Sequence, residues 1–306
     1  MSELLESTIS TEEPPKKAGF KFRSIFGWLR EGELKRDLQS SFGLPEGSRP
    51  VTITVMNQKG GCGKTTTVVN LSAALAIKGG KVLVVDLDPQ AHATLGLGVS
   101  VDKLQRSVYD LLVNPNVVFG DVMRPCQIPG LHILPSASRL ASAQLELADI
   151  QAGEQALRSK LQNVQQHYDF ILLDCPPTLN LLTLNALCYA SKVLIPVQTH
   201  YYALEGMKEL FRTIESVKQQ FNPGLETLGI LATLYDKRIK IAEEVLHALR
   251  DYFGSQMFKT VIHNNVKLIE SPMVQQSVIT YAPTSLGAIE YQQLAEEVLA
   301  LVTKSN

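Results

Sequence analysis

Several features that mark common classes of protein are missing from this sequence. The four cysteines form neither a CxxC pair nor a metal-ligand spacing, which argues against a disulfide framework or a zinc site. The six histidines show no HExxH spacing. No run of about 18 apolar residues occurs, so we expect no transmembrane helix. The scattered cysteines favour reduced thiols in the cytoplasm.

An excess of charge of one sign is missing as well. The 306 residues carry 29 Lys and Arg against 30 Asp and Glu, a net charge of −1. The whole chain is therefore not a polycation, and any contact with nucleic acid must come from a local basic patch. The chain starts with MSELLESTISTEEPP, which is polar and acidic, unlike a secretory signal.

The N-terminal part differs in composition from the rest of the chain. Residues 1–19 are rich in Glu, Ser, Thr and Pro, a composition typical of disorder. Residues 20–42 repeat apolar side chains at helical spacing and predict an amphipathic helix. The segment GLPEGSRP then breaks the pattern, so we divide the chain into an extension over 1–48 and a large domain over 49–306.

The extension carries an excess of basic residues. Between Lys16 and Arg36, seven basic and two acidic residues accompany several phenylalanines and the single tryptophan, Trp28. Three interpretations of this helix stay open. It packs on its own domain or on a dimer mate, it docks a partner, or it lies on a membrane surface.

From residue 49 onward, short apolar segments alternate with longer helical patterns. Buried strands are indicated by VTITVMN, KVLVVDLD, LHILP, DFILLDCPP, KVLIPVQ, TLGILATLYD and MFKTVIH. Strands separated by helices predict an α/β fold, a doubly wound and mostly parallel sheet with helices on both faces. The last segment, SLGAIEYQQLAEEVLALVTK, predicts a closing helix.

The first of these strands leads into a glycine-rich segment, MNQKGGCGKTTT, which is followed by an amphipathic helical pattern. A phosphate-binding loop requires this strand–loop–helix context. Gly60, Gly61 and Gly63 permit turns in which backbone N–H groups point at phosphate oxygens, and the helix N-terminus adds positive charge. We expect Lys64 to reach the β- and γ-phosphates of a nucleotide and the Thr65 hydroxyl to bind Mg²⁺.

The segment KGGCGKTT resembles the deviant Walker A motif of the ParA/MinD family of ATPases. In that family the extra lysine, here Lys59, marks a sandwich dimer in which two subunits enclose two ATP molecules. The resemblance implies that Lys59 crosses to the partner's phosphates, as a cation supplied in trans. It implies that Gly60 leaves room for the facing subunit. The loop residues implied in ATP binding are Lys59, Gly60, Gly61, Cys62, Gly63, Lys64, Thr65 and Thr66.

Two acidic strand ends extend the resemblance. KVLVVDLD ends in Asp86 and Asp88, which alternation along a strand places on one side, and DFILLDCPP carries Asp174 in a segment similar to a Walker B motif. The family match implies that Asp88 orients the attacking water. It also implies that Asp86 and Asp174 hold Mg²⁺ through water. The enzyme implied is a slow ATPase that a partner stimulates.

Longer segments resemble the ParA branch of the family, and the resemblance covers residues 50–303. They include DLDPQAHATLGLG, DCPPTLNLLTLNAL and IPVQTHYYALEGMKEL. The resemblance implies an ATP-dependent homodimer that binds DNA non-specifically through Arg238 and Lys267, with Lys237 and Lys240 beside them. It also implies a ParB-like adaptor that stimulates hydrolysis, a cytoplasmic, nucleoid-associated location, and a cargo such as a plasmid, a chromosome or a protein body.

The segment VIHNNVKLIESP departs from the ParA pattern. His263 stands where proline is usual, and Asn264 and Lys267 stand where arginine is usual. The family match places the His263 backbone and Asn265 near the adenine of ATP. Lys267 keeps the charge but loses the bidentate geometry of arginine, so we expect weaker DNA binding than in a typical relative. Cys62 replaces an apolar residue, and two interpretations stay open: it is a small residue that fills space, or its thiol has a pKa lowered by the helix N-terminus.

Two other functions stay open at this level. The basic helix over 20–42 could hold the protein on a membrane as a MinD-like spatial regulator, although the C-terminal segment lacks the basic amphipathic helix of MinD proteins. The second alternative is a DNA-binding repressor. A repressor would prefer one DNA site and would depend little on ATP.

Overall fold

The β-strands form a single sheet. A computed structural model describes residues 50–200 and 206–304, so the predicted extension over 1–48, with its helix over 20–42, lies outside the described residues. The described strands are β1 (Val51–Val55), β2 (Val82–Asp86), β3 (Arg124–Pro125), β4 (Leu131–Leu134), β5 (Phe170–Asp174), β6 (Lys192–Gln198), β7 (Glu226–Tyr235) and β8 (Met257–His263).

The strand order is β3-β4-β2-β5-β1-β6-β7-β8. All neighbours are parallel except for the short β3, which pairs antiparallel with β4. This confirms the predicted mostly parallel, doubly wound sheet. The strands β2 to β5 all lie on one flank of β1 within the sheet. After β5 the chain crosses over, and β6 to β8 lie on the other flank of β1. A crevice for ligands forms at the carboxyl ends of strands where the order reverses in this way.

Helices lie between most of the strands and after the last one. In the described ranges they are α1 (Lys64–Ile77), α2 (His92–Gly96), α3 (Val108–Val113), α4 (Phe119–Val122), α5 (Ala143–Ala148), α6 (Ala156–Leu161), α7 (Leu181–Tyr189), α8 (Met207–Gln220), α9 (Lys240–Phe253), α10 (Val266–Glu270), α11 (Val278–Tyr281) and α12 (Leu286–Lys304).

Each face of the sheet has its own apolar core. One core packs α3 and α5 to α9 against the sheet, and the other packs α1, α2 and α10 to α12. The strands β1, β2 and β5 are buried along their whole length, which explains why they are apolar without alternation. None of the helices in the described ranges is both long enough and apolar enough to cross a membrane.

Helix α1 differs from the amphipathic helix that the sequence predicts, because every residue from Thr67 to Ala76 is buried. Two other helices cover its outer side. The hydroxyl groups of Thr67 and Tyr291, on α12, lie 3.2 Å apart, and the N–H of Val278, on α11, donates to the side chain of Asn70 at 2.7 Å. The polar side chains of α1 therefore serve contacts within the protein and do not mark a face toward water.

Gly153 lies where a side chain has no room, because an added Cβ would come within 1.9 Å of the backbone oxygen of Leu147. We expect Gly153→Ala to lower the free energy of unfolding by about 1–3 kcal/mol, since the backbone of α5 must shift. Gly120→Ala is the matched control, because nothing lies within 4 Å of the Cβ that it adds. Chemical denaturation measures both variants, and equal stability would contradict the close packing at Gly153.

Candidate nucleotide-binding site

The Gly-rich loop, residues 57–63, connects β1 to α1. Gly61 and Gly63 have φ angles of 71° and 89°, a left-handed conformation that other residues rarely adopt. Gly63 is the N-cap of α1, a helix of 14 residues whose first N–H groups have no partners within the helix. The loop therefore ends at a helix N-terminus, which attracts anions such as phosphate.

Side chains outside the loop and at its start hold its shape. Asn57 donates to the carbonyl oxygen of Pro196 at 2.8 Å and accepts from the N–H of Lys59 at 3.0 Å. Thr233, on β7, donates to the carbonyl oxygen of Cys62 at 2.8 Å. These hydrogen bonds tie the loop to β6 and β7, so the backbone is positioned before any ligand binds.

Cys62 does not have the lowered pKa that its place before a helix suggests. Its thiol is buried, and burial raises the pKa, although the nearby Lys64 ammonium and its backbone N–H act in the opposite direction. A buried thiol with a raised pKa is protonated and unreactive. Cys62 therefore fills space beside the loop.

The two lysines of the loop region lie in different environments. Lys64 is buried, and its Nζ donates to the carbonyl oxygen of Lys59 at 3.0 Å, so this ammonium folds back over its own loop. Lys59 is partly exposed. The neighbouring Gly60 is exposed, lacks a left-handed φ angle, and would have nothing within 4 Å of an added Cβ. The packing of this chain therefore does not explain a glycine at position 60.

Two buried carboxylates end the adjacent strands β2 and β5, and β5 is the neighbour of β1, the strand that carries the loop. Asp86 ends β2 and Asp174 ends β5, and the two are paired in register. Asp86 accepts from the N–H and the hydroxyl of Thr94 at 2.9 and 2.7 Å, and from the N–H of Asp88 at 3.1 Å. Burial raises the pKa of Asp86 to about 7, and these hydrogen bonds oppose the rise.

Asp174 accepts fewer hydrogen bonds than Asp86 does. Neither of its oxygens accepts a hydrogen bond of ordinary geometry from the described residues. Burial, and then the charge of Asp86, raise the pKa of Asp174 well above its usual range, while the Thr65 hydroxyl and the Lys64 ammonium favour the ionised form. Two carboxylates and a hydroxyl are oxygen ligands of the kind that Mg²⁺ prefers. The residues present therefore fit the predicted metal.

Asp88 lies outside β2, which ends at Asp86, so strand alternation does not place it as the sequence suggested. Its carboxylate accepts from the N–H of Gln90 at 2.9 Å, and its carbonyl oxygen accepts from the Ser136 hydroxyl at 2.7 Å. The N–H of Ser136 in turn donates to the Thr94 hydroxyl at 2.9 Å. Sequence reasoning missed Thr94 and Ser136, because no spacing in the chain connects them to the aspartates.

The predicted adenine contacts lie at the carboxyl end of β8. The N–H of His263 donates to Oε2 of the buried Glu290 at 2.9 Å, and its ring Nδ1 lies 2.5 Å from Oε1. The ring of Tyr235 meets the His263 ring edge-on at 5.1 Å. Asn265 caps α10, because its side-chain oxygen accepts from the N–H of Lys267 at 2.8 Å. Sequence reasoning did not identify Glu290 and Tyr235 as neighbours of His263. The contacts of His263 and Asn265 with adenine stay predictions.

The predicted DNA-binding residues lie in the two segments that follow β7 and β8, at the carboxyl edge of the sheet: Lys237 and Arg238 in the loop after β7, Lys240 at the start of α9, and Lys267 in α10. The N–H of Asn264 donates to the carbonyl oxygen of Tyr235 at 2.8 Å, which joins the loop after β8 to the loop after β7. The four basic residues are all exposed: Lys237, Arg238, Lys240 and Lys267. The fold therefore brings together cations that are far apart in the chain.

Two of these cations have an acidic partner in the same chain. The Arg238 side chain is 82% exposed and pairs with Asp236 at 2.6 Å, and its hydrogen bonds lower the pKa of Asp236 to about 2. Lys267 pairs with Glu270 at 2.7 Å. Because exposed ion pairs contribute little stability and are screened by salt, the phosphates of a ligand can compete for both cations.

A glycine-rich loop at a helix N-terminus, a buried loop lysine and two buried aspartates at adjacent strand ends define a P-loop nucleoside triphosphatase. Residues 51–227 match the family described as an AAA domain. The chain is 47% identical over 253 residues to the chromosome-partitioning ATPase Soj of Thermus thermophilus, which covers 83% of this chain and 97% of that protein. It therefore belongs to the ParA/MinD superfamily of ATPases.

Further comparisons agree with this family. The sporulation initiation inhibitor protein Soj of Bacillus subtilis is 44% identical over 248 residues, 81% of this chain and 98% of that protein. Cobyrinic acid a,c-diamide synthase from Mycobacterium smegmatis, with bound ADP and magnesium, superposes with a TM-score of 0.71 at 35% identity, over 81% and 93% of the two chains. The cell division ATPase MinD of Pyrococcus furiosus gives 0.68 at 28% identity, over 82% and 99%.

The buried Asp174 gives a prediction for pH and stability. Without metal, the folded protein keeps a proton on Asp174 that the unfolded chain releases above about pH 4, so stability falls as the pH rises. Asparagine cannot ionise. We therefore expect Asp174→Asn to raise the free energy of unfolding at pH 8 by about 1–3 kcal/mol, and by less at pH 5. Chemical denaturation in the presence of a chelator measures this difference.

A second measurement on the same variant separates ligand binding from stability. MgATP should raise the melting temperature of the wild type more than that of Asp174→Asn, since the variant loses a ligand of the ion. Asp149→Asn, at an exposed position, serves as the control and should match the wild type in both measurements. An Asp174→Asn protein that is less stable than the wild type at pH 8 would show that burial of the Asp174 carboxyl group does not destabilise the fold.

Proposed function

We propose that this protein is a ParA-type ATPase that positions or segregates a cargo by cycling between an ATP-bound homodimer on DNA and free monomers. The names of its relatives support the partitioning role, since Soj of Thermus thermophilus is a chromosome-partitioning ATPase and the Myxococcus xanthus relative is the chromosome partitioning protein ParA. One observation supports the proposed homodimer most directly. Lys64 is committed to its own loop, whereas Lys59 is partly exposed beside a glycine with open space.

Within one subunit, the Gly-rich loop and the first turn of α1 bind the phosphates of ATP through backbone N–H groups. Lys64 exchanges the carbonyl oxygen of Lys59 for the β- and γ-phosphates. Thr65 would hold Mg²⁺ directly, and Asp86 and Asp174 would hold it through water. The ion, when bound, neutralises phosphate charge. The raised pKa values of both aspartates support a cation between them and the phosphates.

Asp88 orients the water that attacks the γ-phosphate. Its backbone is held from both sides, by the carboxylate of Asp86 and by the hydroxyl of Ser136, so its partly buried carboxylate has a defined position. Orientation without a strong base gives slow turnover. A ParB-like adaptor on the cargo then accelerates hydrolysis, and the resulting monomers leave the nucleoid. The protein is accordingly cytoplasmic and nucleoid-associated.

Lys59 acts on the ATP of the partner subunit. A lysine that enters the site only on dimerisation supplies positive charge where negative charge grows during phosphoryl transfer. The open space at Gly60 supports this proposal, because a glycine that its own chain does not require permits a close approach of the facing backbone. Hydrolysis is thereby restricted to the dimer.

The in-trans role of Lys59 can be tested with mixed dimers. We expect Lys59→Ala and Asp88→Ala each to bind ATP and to lose turnover. Mixed in equal amounts before ATP is added, they should regain about a quarter of wild-type turnover, because half of the dimers are mixed and each mixed dimer has one complete site. Steady-state release of phosphate measures the recovery.

The control for this experiment is a mixture of Lys59→Ala with the double variant Lys59→Ala/Asp88→Ala, which contains no complete site and should stay inactive. If the first mixture also stays inactive while its members bind ATP and dimerise, Lys59 acts within its own subunit. Asp88→Ala alone should remain a dimer on DNA in the presence of ATP.

The DNA-binding surface consists of the segments after β7 and after β8 that carry the four exposed basic residues. They lie at the same edge of the sheet as the Gly-rich loop, so dimerisation across this edge brings the cations of both subunits onto one surface. Such a surface binds DNA through phosphates, without sequence preference, and only in the ATP-bound dimer.

We expect Arg238→Ala to weaken DNA binding in the presence of ATP and to reduce the slope of log K against log salt concentration by about 1 for each DNA phosphate that the variant no longer neutralises. Arg106→Ala is the matched control, because Arg106 forms another exposed ion pair, with Asp121 at 2.6 Å. Gel-shift titrations at several salt concentrations measure the slope. Equal slopes for the two variants would show that Arg238 does not contact DNA phosphates.

The DNA titrations, together with co-sedimentation with lipid vesicles, distinguish the alternative functions. Preference for one DNA site, independent of ATP, would identify a repressor. ATP-dependent binding to lipid vesicles, together with no binding to DNA, would identify a MinD-like regulator on the membrane.

A further inference from the structure

A groove outside the site described above lies between α8 and α9. Its floor is aromatic, since the rings of Phe211 and Phe253 lie 5.7 Å apart and the ring of Tyr252 meets Phe253 edge-on at 4.8 Å. Met207 and polar side chains of α8, such as Arg212, line the rest. The groove encloses about 770 Å³, which is room for several large side chains.

Tyr252 shows that this groove is incomplete in the described part of the chain. The residue is 77% exposed, although it belongs to a cluster of three aromatic rings. Aromatic side chains stabilise a contact most when a partner covers them, and exposed apolar grooves with polar rims commonly mark docking sites. The groove is therefore suited to an apolar helix face or a similar row of large side chains.

We infer that this groove docks the segment over 20–42 of the same chain. The segment contains nine large apolar side chains, more than any other segment outside the described residues. The residues that would supply the contact form one helical stripe with a tryptophan beside it: Phe22, Ile25, Phe26, Leu29 and Trp28.

The comparison with relatives supports an occupant within the chain. The two Soj proteins are matched over 97% and 98% of their own length, yet they cover only 83% and 81% of this chain. The family match also begins at residue 51. The extension therefore has no counterpart in those relatives, and this chain carries both the groove and a segment that can fill it.

The connection between the segment and the groove imposes no strain. Helices α8 and α9 each lead into the strand that follows them, so their last turns lie at the sheet edge where β1 begins. From β1 to β7 and β8 there are two or three strand spacings, about 10–15 Å. The residues from Leu29 to Pro50 reach up to about 45 Å if they are helical as far as residue 42 and extended beyond it. A tether of this length keeps the segment near the groove at millimolar effective concentration.

Tryptophan fluorescence of the full-length protein tests this contact, because Trp28 is the only tryptophan in the chain. We expect its emission to be blue-shifted and protected from acrylamide. Tyr252→Lys combined with Ser216→Lys puts positive charge into the groove at two exposed positions, where it repels the basic segment, and should weaken docking about tenfold or more, with a red shift and loss of protection. Leu145→Lys is the matched control, because Leu145 is also 77% exposed but lies on α5.

Support for the contact requires a red shift in the groove variant and none in the control. An emission typical of water-exposed tryptophan in the wild type would overturn the inference, and so would a blue shift that persists in the groove variant. A blue shift that disappears on dilution would show that a second copy supplies the groove, which also contradicts docking within the chain.

Discussion

The site depends on two buried carboxylates that the sheet forces together. Asp86 and Asp174 end adjacent strands and are paired in register, and burial raises the pKa of both. Thr94 satisfies one of them, and the other accepts no hydrogen bond of ordinary geometry from the described residues. Such a pair is costly until a cation neutralises it. In the function that we propose, binding of MgATP is therefore coupled to the stability of the whole domain, because the ligand relieves a cost that the fold itself imposes.

The carboxyl edge of the sheet carries every residue to which we assign a function. Parallel strands all end at this edge, so the Gly-rich loop, the aspartates and the basic loops face the same side although they come from different parts of the chain. The arrangement suits a switch. In the function that we propose, a second subunit docks at this edge, adds Lys59 to the catalytic groups and doubles the positive charge beside Arg238, so that hydrolysis and DNA binding depend on the same contact.

Much of the fold and of the Gly-rich loop could be predicted, because both are encoded by local patterns: apolar strands between helices, and glycines before a lysine and threonines. The predictions that differ from the structure concern tertiary packing. Helix α1 is buried all round because α11 and α12 cover it, Cys62 has a raised pKa because it is buried, and Asp88 is held by Ser136 after β2 has ended. Asn265 caps a helix in addition to any contact with adenine.

The sequence by itself determined the class of chemistry and revealed the second lysine, because Lys59, Lys64 and the glycines belong to one segment only a few residues long. Only the tertiary structure decided that Asp86 and Asp174 are paired, that Glu290 accepts a hydrogen bond from His263, and that α8 and α9 form an aromatic groove. The physical reason is the strand order. It reverses beside β1, so residues far apart in the chain become neighbours in a way that no spacing along the chain records.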